Sequence, residues 1–276
     1  MARPASRRVP TRGSKRTSVR RLPRLAPVLI LLPPSEGKLP PRRGRPLDLS
    51  SLSFPELTPL RESVVETVAR LSTEPDAAAR LEVNPNLVDD LERNTRLLTA
   101  PTATASRVYS GVLYQALDLD SLDAAAKRRA NRWVVVVSAL FGALRLSDRI
   151  PAYRVNISSA LPGVGHLAHE WRREVSAALE ESVKPRELVV DCRSSTYASV
   201  WRPTGGRAER WVHVTVPGAS HMAKHTRGLV TRELLQAEAP RTPEALAERL
   251  SGRFEVELTP PVRAGRPWQL ATTPRP

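Results

Sequence analysis

Hydroxyls and cations recur together in four short stretches of this chain. Ser35 and Lys38 lie in Pro33-Pro34-Ser35-Glu36-Gly37-Lys38, and Ser138, Arg145, Asp148, Tyr153 and Arg154 follow one another closely. Ser195 and Tyr197 close Cys192-Arg193-Ser194-Ser195-Thr196-Tyr197, and Lys224 ends the stretch that opens at Pro217. Lysine and arginine supply charge, while serine, tyrosine and loop amides supply directed hydrogen bonds. Gathered in one place, these residues would hold phosphate, a carboxylate or a nucleotide. If chemistry is done there, Asp148 is the candidate acid or base, Lys38 and Arg145 clamp the anion, and Tyr153 or Ser195 orients the substrate. The competing assignment is structural: the same side chains would cap strands and bind one another, Arg145 with Asp148 for instance.

Familiar catalytic patterns are missing or broken. Gly37-Lys38 lacks the upstream glycine of a P-loop. Ser35-x-x-Lys38 has the letters of penicillin-recognising enzymes, but Pro33, Pro34 and Gly37 oppose the helix that would bring the amine to the hydroxyl. His221 and His225 are one helical turn apart, yet Met222 stands where a zinc peptidase has its glutamate, so no metal is expected, and no organic cofactor either. Leu161-Pro162-Gly163-Val164-Gly165 has the letter pattern of a helix-hairpin-helix turn, in which Gly163 and Gly165 would let main-chain amides approach a DNA phosphate. The segment before it, Tyr153 to Ser159, is β-like, so a plain strand-to-helix turn is the alternative.

The four polar stretches each follow an apolar run. Val28 to Leu32 and Trp133 to Val137 are continuous and rich in β-branched residues, without the alternation of a half-exposed strand, so both read as strands covered on two faces. Arg186 to Asp191 and Arg210 to Val216 read as two more, with Phe254 to Leu258 and Trp268 to Ala271 as short closing strands. Loops at the ends of central strands are where α/β proteins place their chemistry. Between the strands, helical spacing is predicted over Leu60 to Leu71, Asp76 to Val83, Leu87 to Leu98, Asp118 to Ala130, His166 to Glu181 and Lys224 to Glu238. Within them Asp123 and Lys127 form an i,i+4 pair, and Thr242-Pro243 caps a further helix to Leu250. The fold class is therefore mixed α/β (α+β): one domain from residue 28 to 276, its sheet covered by helices.

The formal charge of +15 over 276 residues suggests nucleic acid at first sight. Residues 1–27, however, hold nine Lys or Arg and no acid, which leaves +6 for the rest. This arm has few large apolar side chains and is expected to be disordered, and it could also touch nucleic acid. Arg20-Arg21 ahead of Leu25 to Leu32 raises a twin-arginine export signal, but the apolar stretch is short and broken by proline. No run is long enough to cross a bilayer, so no membrane partner is expected. The single cysteine, Cys192, suits a reducing compartment and reads as a small core residue.

Leu31 to Lys38, Tyr109-Ser110-Gly111, Ser138 to Arg145, Pro151-Ala152-Tyr153-Arg154 and Ser220 to Gly228, in this order, resemble the YaaA, or peroxide stress resistance, family, from about residue 28 to the C-terminus. The resemblance implies a cytoplasmic protein with one compact cantaloupe-like domain, a positively charged cleft and a helix-hairpin-helix-like element. It implies double-stranded DNA as partner and a part in limiting free iron and iron-dependent oxidative damage. Carried over by position, the cleft residues are Lys38, Tyr109, Arg145, Tyr153, Arg154, Lys224 and Arg227. With Ser35, Gly163, Gly165 and Ser195 they make up the expected nucleic-acid or anion site. The basic arm is no part of the family pattern. Asp148, the serines and the tyrosines exceed what a phosphate coat needs, which keeps open an enzyme acting on a nucleotide, nucleobase or other small anion. The oligomeric state is left open.

Overall fold

A computed structural model describes residues 28–218 and 220–275; the basic arm and its expected disorder lie outside the described residues. The strands of the main sheet are β1 (Val28–Leu32), β2 (Val134–Ser138), β3 (Gly142–Leu144), β4 (Leu188–Asp191), β5 (Trp211–Thr215), β6 (Phe254–Thr259) and β7 (Trp268–Pro274). They lie in the order β6-β7-β5-β4-β1-β2-β3. The pairings β1 with β2, β1 with β4, β4 with β5 and β5 with β7 are all parallel, while β6 and β3 close the two edges antiparallel. Every residue of β1, β2 and β4 is buried, as continuous apolar runs require when helices cover both faces.

The order places β1 between β2 and β4, with the chain going to one side of it first and to the other side later. The crevice beyond the carboxyl end of such a strand is where open α/β sheets receive ligands. The Ser35 to Lys38 loop occupies that position.

Helices Thr58–Leu71 and Leu167–Ser182 bury Val64, Val65, Val68 and Leu71, and Leu167, Trp171, Val175 and Leu179, the apolar stripes that their spacing predicts. Helix Pro243–Ser251 begins as expected, Thr242 accepting a hydrogen bond from the Ala245 amide at 3.2 Å. Helix Val112–Leu117 crosses Ser220–Leu235 closely at Gly228, where a β-carbon would strike the Leu113 carbonyl.

Three local expectations are corrected. Trp133 closes helix Ala124–Trp133 instead of opening the strand. Asp123 does not pair with Lys127: its carboxylate caps that helix, accepting from the Ala126 amide at 2.6 Å, and Lys127 donates to the Asp120 carbonyl at 2.8 Å. An orphan amide in the first turn is a better partner than an exposed ammonium. The Gly163-Gly165 turn joins two short strands, Ala160–Leu161 and Gly165–His166, and leads into helix Leu167–Ser182, but residues 151–159 form no helix. Pro151 and the Asn156 turn, whose side chain accepts from the Ser158 amide, prevent one. The element is a hairpin and one helix.

Candidate functional site

The site is built outward from the end of β1. Pro33-Pro34 ends the strand, and the loop that follows is fixed to residues 109–111: Gly111 donates to Ser35 Oγ at 2.6 Å, and Lys38 forms an isolated β-bridge with Tyr109. Held this way, Lys38 is half-buried. Its Nζ donates to the Ser35 carbonyl at 2.6 Å and stands 4.1 Å from the ring centre of Tyr153 and 5.8 Å from that of Tyr109. Burial, with the nearby Arg154 charge, brings the ammonium down to about 7, against the opposing pull of Asp90 and Glu36.

Beside the amine runs a chain of hydroxyls whose direction can be assigned. Ser138 Oγ accepts from the amides of Leu140 at 3.2 Å and Phe141 at 3.1 Å, which occupies both of its lone pairs. Its proton therefore goes to Tyr153 Oη at 2.7 Å, and Tyr153 in turn donates to Tyr109 Oη at 3.0 Å. Tyr109 is left with the free proton. Burial raises Tyr109, Tyr114, Tyr153 and Tyr197 alike, so all four tyrosines of the chain stay neutral.

Cations form the rim. Lys224, near the start of helix Ser220–Leu235, donates to Glu36 Oε1 at 3.2 Å. Arg154 donates to the Glu36 carbonyl at 2.8 Å, and its other terminal nitrogen lies 3.9 Å from Glu36 Oε2. Asn94 fixes the Arg154 main chain from both sides, accepting from its amide at 2.8 Å and donating to its carbonyl at 2.6 Å. The Lys224 hydrogen bond, then the surrounding positive charge, holds the Glu36 carboxyl below the usual range despite some burial. Arg154 and Lys224 thus meet one carboxylate from two separate segments, and Lys38 adds positive charge from within the Glu36 loop.

The structure brings together Ser35, Lys38, Tyr109, Tyr153, Arg154 and Lys224, with Ser138 and Tyr197. Ser195, exposed at the start of helix Ser195–Ala198, lies beyond the carboxyl end of β4 at the same sheet edge. Arg145 and Asp148 are elsewhere, which corrects their grouping with Lys38. Because β3 pairs antiparallel with β2, Val136 opposite Leu144, the chain turns back along β2. Arg145 Nη1 therefore reaches the Arg132 carbonyl at 2.8 Å and the Val134 carbonyl at 3.2 Å, at the amino end of β2. A strand of this length spans about 13 Å between its ends. Asp148 is occupied there by the Ser53 amide and hydroxyl and by the Arg145 amide at 3.1, 2.8 and 2.8 Å. The structural assignment holds for this pair, through the main-chain amide of Arg145.

Arg227 is half-buried and donates to the Val214 carbonyl at 3.3 Å. At the hairpin, a β-carbon on Gly165 would meet the Glu170 carboxylate at 2.8 Å, so negative charge borders the amides expected to greet a phosphate. Glu36, Asn94 and Tyr114, which donates to the Pro33 carbonyl at 2.8 Å, belong to the site and were not among the expected residues. Glu36 had a local signal, as the lone acid within a cationic loop; Asn94 and Tyr114 had none.

Fold and site together define a mainly parallel α/β protein with a cation-rimmed cluster of loops at its topological switch point. A profile of the family described as "Peroxide stress protein YaaA" matches residues 28–257, and the chain belongs to that family. It is 45% identical over 253 residues to a UPF0246 protein of Streptomyces coelicolor, covering 88% of this chain and 97% of that one. A UPF0246 protein of Corynebacterium efficiens is 37% identical over 244 residues, covering 87% and 97%. Among the described residues no helix is long and apolar enough to cross a membrane, and no group of three or more His, Cys, Asp or Glu is arranged to hold a metal ion.

Proposed function

We propose that this member of the peroxide stress family acts in the cytoplasm by binding double-stranded DNA through the crevice at the end of β1. Lys38, Arg154 and Lys224 make phosphate contacts there with little base specificity. The observation that carries the reading is the convergence of Arg154 and Lys224 on Glu36, which fills the place of an anion beside Lys38. Counterions condense on DNA phosphates and are released when protein cations replace them. Ferrous ions held on the covered stretch leave in the same way, which is how binding limits iron-dependent damage.

The test is fluorescence anisotropy of a labelled duplex at several salt concentrations, with the full chain, a chain beginning at Val28, and an Arg154→Ala/Lys224→Ala variant. Salt-dependent binding retained without the arm and weakened in the variant supports the crevice. Binding that disappears with residues 1–27 assigns DNA affinity to the arm and overturns the reading. The hydroxyl chain ending at Tyr109 beside the Lys38 amine favours a second reading, an enzyme acting on a small anionic substrate. A rise in melting temperature with nucleotides or sugar phosphates, absent in Lys38→Met, checks it.

A further inference from the structure

The Lys38 amine is more elaborately housed than a phosphate contact requires. Phosphate contacts are made well by exposed, fully charged lysines, whereas this amine sits half-buried on the face of Tyr153, next to a relay of three hydroxyls and beside two rim cations. A cation near an amine favours its neutral, nucleophilic form, as does removal from water.

We propose that Lys38 forms a reversible imine with the aldehyde of a phosphate-bearing sugar, Arg154 and Lys224 seating the phosphate and Tyr109 supplying the proton. The inference rests on the anion site described under the proposed function. Its substrate class is a sugar aldehyde with a neighbouring phosphate. That chemistry occurs in the ring-opened sugar of an abasic site in DNA and in free sugar phosphates.

Each step balances. Nζ attacks the carbonyl carbon, forming the C–N bond as the carbon–oxygen π pair moves to oxygen. That oxygen takes a proton from Tyr109, which recovers one from the nitrogen, giving the carbinolamine. Tyr109 then protonates the hydroxyl, the C–O bond breaks, and water leaves. The nitrogen returns the last proton to Tyr109. Both amine protons and the carbonyl oxygen thus depart as one water. Ser138 and Tyr153 hold Tyr109 as a donor throughout, because their own protons are already directed along the chain toward it. The hydrogen bond from Nζ to the Ser35 carbonyl persists in the neutral amine and orients its lone pair away from that oxygen. With the amine at about 7, a substantial fraction is unprotonated at neutral pH.

The experiment incubates the full chain with sodium cyanoborohydride and either a duplex carrying one abasic site or glyceraldehyde 3-phosphate, and maps the reduced adduct by peptide mass. Binding of the undamaged duplex is measured in parallel by anisotropy. The expected result is an adduct on Lys38 whose yield rises between pH 6 and 8, flanking the Lys38 value of about 7. Lys38→Arg should abolish it, and Tyr109→Phe should slow it by at least about tenfold while leaving it on Lys38. Trapping of the abasic duplex assigns the source to DNA; trapping of the small aldehyde alone supports the imine and assigns it to free sugar phosphates. Undamaged duplex bound with no adduct on Lys38 overturns this inference and leaves the DNA reading standing. Trapping of the small aldehyde without any duplex binding overturns the DNA reading instead. An adduct confined to Lys15, Lys127, Lys184 or Lys224, or one undiminished in Lys38→Arg, also overturns the inference.

Discussion

Glu36→Gln removes one negative charge from among three cations and keeps the side chain's shape. In the native site the carboxylate bonds Lys224 at 3.2 Å and lies 3.9 Å from Arg154, with the Glu36 side chain 72% exposed. Unit charges about 4 Å apart interact by about 1 kcal/mol in water and about 4 kcal/mol at a protein surface of intermediate dielectric. At this exposure the screened end applies, and measured exposed pairs contribute about 0.2–1 kcal/mol each. A bound phosphate that must displace Glu36 from two cations therefore gives up about 0.4–2 kcal/mol. The variant should bind duplex about two- to thirtyfold more tightly at low salt. Its plot of log affinity against log salt should steepen by about one to two, since each further phosphate neutralised adds about 0.9 to the slope. Anisotropy titrations at four salt concentrations measure both quantities. Unchanged affinity and slope would refute the claim that Glu36 occupies the anion seat. The sign with pH is also fixed: the Glu36 carboxyl is held below its ordinary value, so it stays ionised through the usual carboxylate range and is released only at more acid pH. Its small contribution to stability follows the same course, being present above the unfolded value and lost as pH falls through the folded one. Acidification to pH 5 should not reproduce the variant.

Arg145→Met removes the two carbonyl contacts at the amino end of β2 and should cost about 1–3 kcal/mol in urea unfolding while leaving duplex affinity within about twofold; a loss of affinity like that of the Arg154 variant would return Arg145 to the site. Gly142→Ala places a β-carbon 2.6 Å from the Trp171 ring at a φ of +72°, so a destabilisation of about 3 kcal/mol or more is expected, and a difference under about 1 kcal/mol would show that the turn yields. For Lys38, burial lowers the folded-state value from 10.5 to about 7, so between these limits the unfolded chain binds more protons and native stability rises with pH. Lys38→Met lacks that titration, and its stability advantage over the native chain should shrink as pH rises from 7 to 10; a difference constant across that range would contradict the assignment.

Strand positions were legible because full burial on two faces leaves an unmistakable run, as in Val134 to Val137, and the helices were legible through stripes such as Leu167, Trp171, Val175 and Leu179. Strand direction was not. Nothing in Arg145 or Asp148 says that the chain has reversed; the signal lay in the three residues between Ser138 and Gly142, a loop short enough to force a hairpin, with a glycine at its exit in the left-handed region. Reading the stretch as one continuous loop put both residues at the wrong end of β2. Asn94 could not have been found from its neighbours, because its partner Arg154 is 60 residues away and meets it only through the packed fold.

Net charge was a poor guide because many of the cations are already committed within the fold. Arg61 donates to the carbonyls of Ser53, Phe141 and Ala143, Arg193 lies wholly buried against Asp191 and the Trp201 carbonyl, and Arg207 reaches the carbonyls of Glu180 and Val183. These guanidiniums satisfy carbonyls left over where strands and helices end, a task suited to a fork of five donors. Such charges add to the field around the protein, but their donors are already engaged. The rim differs in kind: Lys224 and the outer nitrogen of Arg154 meet only an exposed carboxylate that solvent or another anion can replace. A cation committed to buried carbonyls cannot turn toward a ligand without leaving them unpaired, whereas one held by an exposed carboxylate can exchange partners at little cost. Exposed pairs between near neighbours in the chain, such as Arg96 with Glu92, are equally exchangeable; the cluster at the end of β1 differs because Arg154 and Lys224 reach one carboxylate from separate segments of the chain.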